Sequence, residues 1–160
     1  MQYEIMVAEV PTRKVLSKRF EVAADEIGPA IQQTLGALYA HLGTSATAPA
    51  GEPMVIYHRM PAETAGWEVE ICAPVADRVE APDGYAFHEL EGGTVATTLH
   101  VGPYEGLDQA YAAVREFIRS HHFDTVGPPR EIYLSEPQVP PSETRTRIEF
   151  PVARVPLEVR

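Results

Sequence analysis

Glu131 and Tyr133 stand two residues apart in the run Arg130-Glu-Ile-Tyr133, within a segment that reads as a strand. The side-chain period of two puts both on one face of a sheet. A carboxylate and a phenol on a semi-enclosed apolar surface have two chemical uses. Desolvation disfavours the charged carboxylate; a delocalised organic cation relieves that cost, and tyrosine rings add a cation–π attraction of roughly 0.5–2 kcal/mol. A desolvated glutamate tuned towards neutral pH can also act as a general base on water. The opposing reading is a surface glutamate facing an arginine of the neighbouring strand, such as Arg145 or Arg147.

The segment that carries this pair is written twice. Gly127-Pro-Pro129-Arg-Glu-Ile132-Tyr133-Leu follows Gly51-Glu-Pro53-Met-Val-Ile56-Tyr57-His at an offset of 76, with four of eight positions identical. The same offset lays Ile31, Leu35, Leu38 and Leu42 on Leu107, Tyr111, Val114 and Ile118. After one inserted residue, Ile71 and Pro74-Val75-Ala76 fall on Ile148 and Pro151-Val152-Ala153. Tyr57 and Tyr133 correspond, whereas Glu131 replaces Val55, so only the second half owns the carboxylate. Two similar units imply a pseudo-twofold arrangement with a seam, and such seams are common ligand sites.

The elements that must position these residues follow from periodicity. Residues 3–10 and 15–22 around Pro11-Thr-Arg predict a hairpin. A helix is expected over 25–42, with its apolar stripe spaced by four, four, three and four and Gly43 just past its end. Residues 44–51 form a loop of small residues, and strands at 54–59 and 67–73 follow. The linker 77–85 carries Pro82-Asp-Gly84. The second unit repeats the plan: strands at 86–90 and 94–101 around Glu91-Gly92-Gly93, a helix from Gly102-Pro103 to about His121, and strands at 130–135 and 144–152. A proline-rich connection, 137–141, separates the last two, kept out of central sheet by its prolines. The expected fold is α+β: a duplicated β-β-α-β-β unit in one domain spanning 1–160, with repeats at about 1–76 and 85–153. It has about eight mainly antiparallel strands, two helices and a cleft between them.

Composition narrows the function classes. A chain of 160 residues suits one domain with a core that needs neither disulfide nor metal. The single cysteine, Cys72, sits in a strand-like run and reads as a buried thiol. With 23 acidic against 13 basic residues the net charge is −10, which repels phosphate backbones and mildly favours cationic partners. Nucleic acid is therefore not an expected partner. No run approaches the roughly 18 apolar residues of a membrane span, and the start lacks signal-peptide character, so a cytoplasmic protein is expected. His121-His122 project about 100° apart on a helix end and make a poor metal pair. There is no GxSxG elbow, P-loop or dinucleotide fingerprint. No metal or cofactor is expected.

Three stretches in this order, His100-Val-Gly102-Pro103-Tyr104-Glu-Gly-Leu107, Gly127-Pro-Pro-Arg-Glu131-Ile-Tyr133 and Arg147-Ile-Glu-Phe150-Pro151-Val152, resemble the GyrI-like family. That family is the small-molecule-binding domain also found in bacterial multidrug-sensing transcription activators and in a DNA gyrase inhibitor. The resemblance covers nearly the whole chain. It implies a cleft between two helices that accepts bulky aromatic, often cationic molecules, with an acidic residue near its floor. It also implies two alternatives: a hydrolase that opens cyclopropane-containing toxins with a glutamate and a tyrosine, and a protein-interaction module such as a gyrase inhibitor. Regulators of this type carry a DNA-binding module ahead of the domain; here the first strand begins near Tyr3, which suggests a free-standing member.

The expected ligand-binding residues are Glu131, Tyr133, Tyr57, Trp67 and Tyr104. No catalytic residue is assigned; a hydrolase would use Glu131 as base with Tyr133 or Tyr104 as proton donor. Trp67, the sole tryptophan, opens a strand and serves as a pocket wall or as packing. Tyr104 stands at the mouth of the second helix, overhanging the cleft or packing the helix start. Tyr39 and Tyr111 lie on the apolar stripes and read as core. Phe87 and His88 alternate, so one of them faces inward.

Overall fold

Two short links decide the strand pairing. The computed structural model describes residues 2–45, 47–136 and 138–157. Ala46, in the expected small-residue loop, and Pro137, at the head of the proline-rich connection, lie outside the described residues. Strands β1 (Met6–Val10) and β2 (Arg13–Val22) are separated by Pro11-Thr12, and β5 (Ala86–Leu90) and β6 (Gly93–Val101) by Glu91-Gly92. Neither pair forms the expected hairpin: β1 pairs antiparallel with β6, and β2 with β5. A two-residue hairpin needs positive φ at its first central residue. Proline cannot supply it, and Glu91 does not adopt it. The chain therefore runs on through each link.

The consequence is an exchange of first strands. One compact unit spans Pro11–Gly92; the other takes residues up to Val10 together with those from Gly93 onward. Besides β2 and β5, the first contains α1 (Ile27–Gly43), β3 (Met54–Arg59) and β4 (Trp67–Pro74), with strand order β3-β4-β2-β5. Besides β1 and β6, the second contains α2 (Leu107–Ser120), β7 (Phe123–Thr125), β8 (Arg130–Tyr133) and β9 (Arg145–Arg154). Its order is β1-β6-β9-β8, with β7 also on β9. The pairings are antiparallel throughout both orders. The α+β class and the duplicated plan are as expected; β7 is an added strand inside the expected loop after α2.

Register preserves the repeat. Val55 lies opposite Ile71 and Tyr57 opposite Val69, while Glu131 lies opposite Ile148 and Tyr133 opposite Thr146. The helices differ in how they bury their stripes. On α2 the expected residues Tyr111, Val114 and Ile118 are buried with Ala110, and they pack with Ala96, Phe123, Ile148, Phe150 and Val152. On α1 the buried positions are Thr34, Leu38 and Leu42, while Ile31 and Leu35 are only partly covered. Both helices begin with a turn of 3-10 helix, Ala24–Glu26 and Tyr104–Gly106. Cys72 is fully buried, as its strand position implied.

Candidate functional site

Glu131 is a buried carboxylate, 5% exposed, on the short strand β8. Each of its oxygens accepts a hydrogen bond from a phenol. The Tyr111 hydroxyl, from α2, donates to Oε2 at 2.7 Å, and the Tyr133 hydroxyl donates to Oε1 at 2.8 Å. Tyr111 therefore shows that the face of β8 carrying Glu131 and Tyr133 is the face α2 covers. The opposite face carries Arg130, whose guanidinium donates to the Glu149 carboxylate at 2.9 Å, both buried. Arg147 lies opposite Ile132 and is exposed, as is Arg145. The surface-glutamate reading of Glu131 is thereby excluded. Burial disfavours the charge on this carboxylate and the two donors favour it.

Tyr104 completes the cluster. Its ring meets Tyr133 edge-on, with centroids 6.1 Å apart and planes at 90°, and it is 55% exposed. Burial of its hydroxyl, followed by the negative charge of Glu131, pushes its pKa above the ordinary 10.0. The Tyr111 ring packs edge-on against Phe150 at 5.7 Å, and the Arg115 guanidinium lies 5.4 Å above both rings. A hollow of about 520 Å³ nearby is lined by Arg115, Ile118, Phe123 and Phe150 among others; Glu131 is not in its wall.

Tyr57 and Trp67 belong to the other unit. Tyr57 is buried on β3, and the Trp67 ring stands edge-on to it at 6.3 Å. The indole N–H donates to the Glu63 carbonyl at 2.9 Å. Among the five expected ligand residues, Glu131, Tyr133 and Tyr104 form a cluster within one unit, and Tyr57 and Trp67 an aromatic pair within the other.

Tyr111 is core, as its place on the apolar stripe implies, and its hydroxyl also makes it part of the site. The repeat held a signal for this. Tyr111 falls on Leu35 and Glu131 falls on Val55, so both members of the hydrogen-bonded pair replace apolar residues of the first half. The sequence reading missed a third buried carboxylate altogether. Glu70, 4% exposed on β4, accepts from the Ser17 hydroxyl at 2.6 Å and meets His58 Nε2 at 2.8 Å and His88 Nε2 at 2.5 Å. Burial raises its pKa, but the bonds from Ser17, His58 and His88 and the charge of His88 outweigh it, leaving the value below 4.5. Its partners come from three other strands, β2, β3 and β5, so no local spacing links them. His121 ends α2, with its ring 3.9 Å from that of Phe117. Among the described residues no group of three or more His, Cys, Asp or Glu is placed to hold a metal, and no helix is long and apolar enough to cross a membrane.

Solved structures share this architecture. The EcmrR–DNA complex matches with 24% identity and a TM-score of 0.87 over 96% of this chain and 58% of that one. The chain thus spans under two thirds of that protein. The EcmrR C-terminal domain alone matches with 25% identity and a TM-score of 0.83, covering 97% of this chain and all (100%) of that one. A hydrolase from Listeria innocua matches at 17% identity (TM-score 0.71, 94% and 92% covered). SAV2435 bound to tetraphenylphosphonium matches at 16% (TM-score 0.65, 96% and 94% covered). No functionally curated protein matches the sequence. The family model of the GyrI-like small-molecule binding domain matches residues 3–153, and the chain belongs to that family.

Proposed function

We propose that this protein binds bulky aromatic cations at Glu131, as a sensor or a sequestering protein. The observation that carries the reading is the carboxylate buried under two phenol donors, with the partly exposed Tyr104 ring beside it. Each oxygen already accepts a hydrogen bond from a phenol and the group is buried, so its charge is a main feature that a ligand can meet. That suits a quaternary onium ion, which has no N–H to donate and is attracted by charge and ring faces alone. The tetraphenylphosphonium held by SAV2435 is a ligand of this kind.

The test compares tetraphenylphosphonium with triphenylphosphine oxide, a neutral body of similar size, by calorimetry. A charge about 6–8 Å away at an effective dielectric of about 20 is worth about 2–3 kcal/mol. Glu131→Gln therefore weakens the cation about 30–100-fold and the neutral compound little. Equal loss for both ligands refutes the electrostatic reading.

A hydrolase is the second reading, favoured by the 2.8 Å contact between Glu131 and Tyr133. Glu131 would take a proton from water while a phenol donates one to the opening ring. The raised pKa of Tyr104 makes that phenol the poorer donor. Incubation with a cyclopropane-containing alkylating toxin, followed by mass spectrometry, tests it; turnover no greater than that of Glu131→Gln leaves binding alone.

A further inference from the structure

In the unit spanning Pro11–Gly92, a half-open hollow of about 380 Å³ lies between α1 and β2. Its helix wall is Ala30, Gln33, Thr34 and Ala37, one face at helical spacing; its other walls are Lys18, Phe20 and Tyr85. Ala30, Thr34 and Ala37 leave room on this face of α1, and Gln33 and Ala37 are exposed. Three of its lining residues are polar, Lys18, Gln33 and Thr34. The Lys18 ammonium lies 5.3 Å from the centre of the Tyr85 ring and 6.0 Å from that of Phe20. Among the described residues it has no carboxylate partner, and the Thr34 hydroxyl and Gln33 amide have no hydrogen-bond partner.

We propose that this cavity is a second small-molecule site, for a monocarboxylate with an aromatic or apolar body. A concave volume of this size with largely apolar walls and a few polar groups is a usual form of such sites. Lysine supplies a full positive charge and only donors, and the threonine hydroxyl and glutamine amide can each donate as well as accept. The site therefore asks for an anionic acceptor. One cation matches one negative charge. A phosphate monoester, at about −1.5 to −2, would leave an excess in a chain that already carries −10. The rings of Phe20 and Tyr85 offer the body of the ligand flat apolar contact. An amine is repelled by Lys18, so the two sites select opposite charges.

The experiment is a titration of the ¹⁵N-labelled chain with benzoate, benzamide and phenyl phosphate, followed by amide chemical shifts. Benzoate is expected to give saturable shifts along residues 30–37 and 18–20. Benzamide, and benzoate on Lys18→Met, bind about tenfold more weakly or worse. Lys18→Arg retains benzoate binding to within a few-fold. If Lys18→Met loses its folded spectrum, Thr34→Val takes its place and is expected to weaken benzoate several-fold. Four results overturn the proposal: benzamide equal to benzoate, phenyl phosphate tighter than benzoate, shifts centred on Glu131, or no saturable shift with benzoate.

Discussion

Replacing Tyr111 by phenylalanine removes the hydroxyl that bonds Glu131. The ring stays, and with it the edge contact to Phe150 at 5.7 Å and the Arg115 guanidinium at 5.4 Å. What goes is the hydroxyl that donates to Glu131 at 2.7 Å between two buried groups, 9% and 5% exposed. A hydrogen bond to a charged group contributes about 1.5–3 kcal/mol, and an acceptor left buried without its donor keeps the desolvation cost. For a chain of this length about 1 kcal/mol moves the melting temperature by roughly 2–4 °C. Tyr111→Phe should therefore lower it by about 3–12 °C in calorimetry at neutral pH. In a Glu131→Gln background the same substitution should cost clearly less, since a neutral amide loses less with its donor. The coupling in that double-mutant cycle measures the charged part of the bond. A cost below about 0.5 kcal/mol in the unmodified background, or equal costs in both, would refute the picture of an ionised carboxylate held by phenols.

Two further outcomes concern the buried ion pairs. Glu70 has a folded-state pKa below its ordinary 4.5, so it adds stability above that value and loses it as pH falls through the folded-state value. Glu70→Gln should flatten the acid limb of stability against pH, measured by denaturant unfolding; an unchanged acid limb would contradict the assignment. Arg130→Met leaves the Glu149 carboxylate buried without its guanidinium and should cost about 3–5 kcal/mol, whereas adding Glu149→Leu should recover most of it. Failure of the second change to restore the melting temperature would show that packing, not charge, sets the cost.

The sequence by itself carried the duplicated plan, because periodicity is local. The 76-residue offset reappears in the register, with Tyr57 and Tyr133 opposite equivalent positions of β4 and β9. It also put Glu131 and Tyr133 on one face, since alternation along a strand needs no partner to be read. It could not say which face the helix covers. Ile132 on one side and Tyr133 on the other leave that choice open, and only Tyr111, reaching from α2, settles it. Nor could it choose strand partners. Every strand offers the same backbone donors and acceptors, so pairing depends on where the links allow the chain to turn. Pro11-Thr12 and Glu91-Gly92 looked like turns by composition, yet the φ angles their residues can adopt send β1 to β6 and β2 to β5. The Glu70 cluster was hidden for the same reason: Ser17, His58 and His88 meet it only once β2, β3 and β5 are assembled around β4.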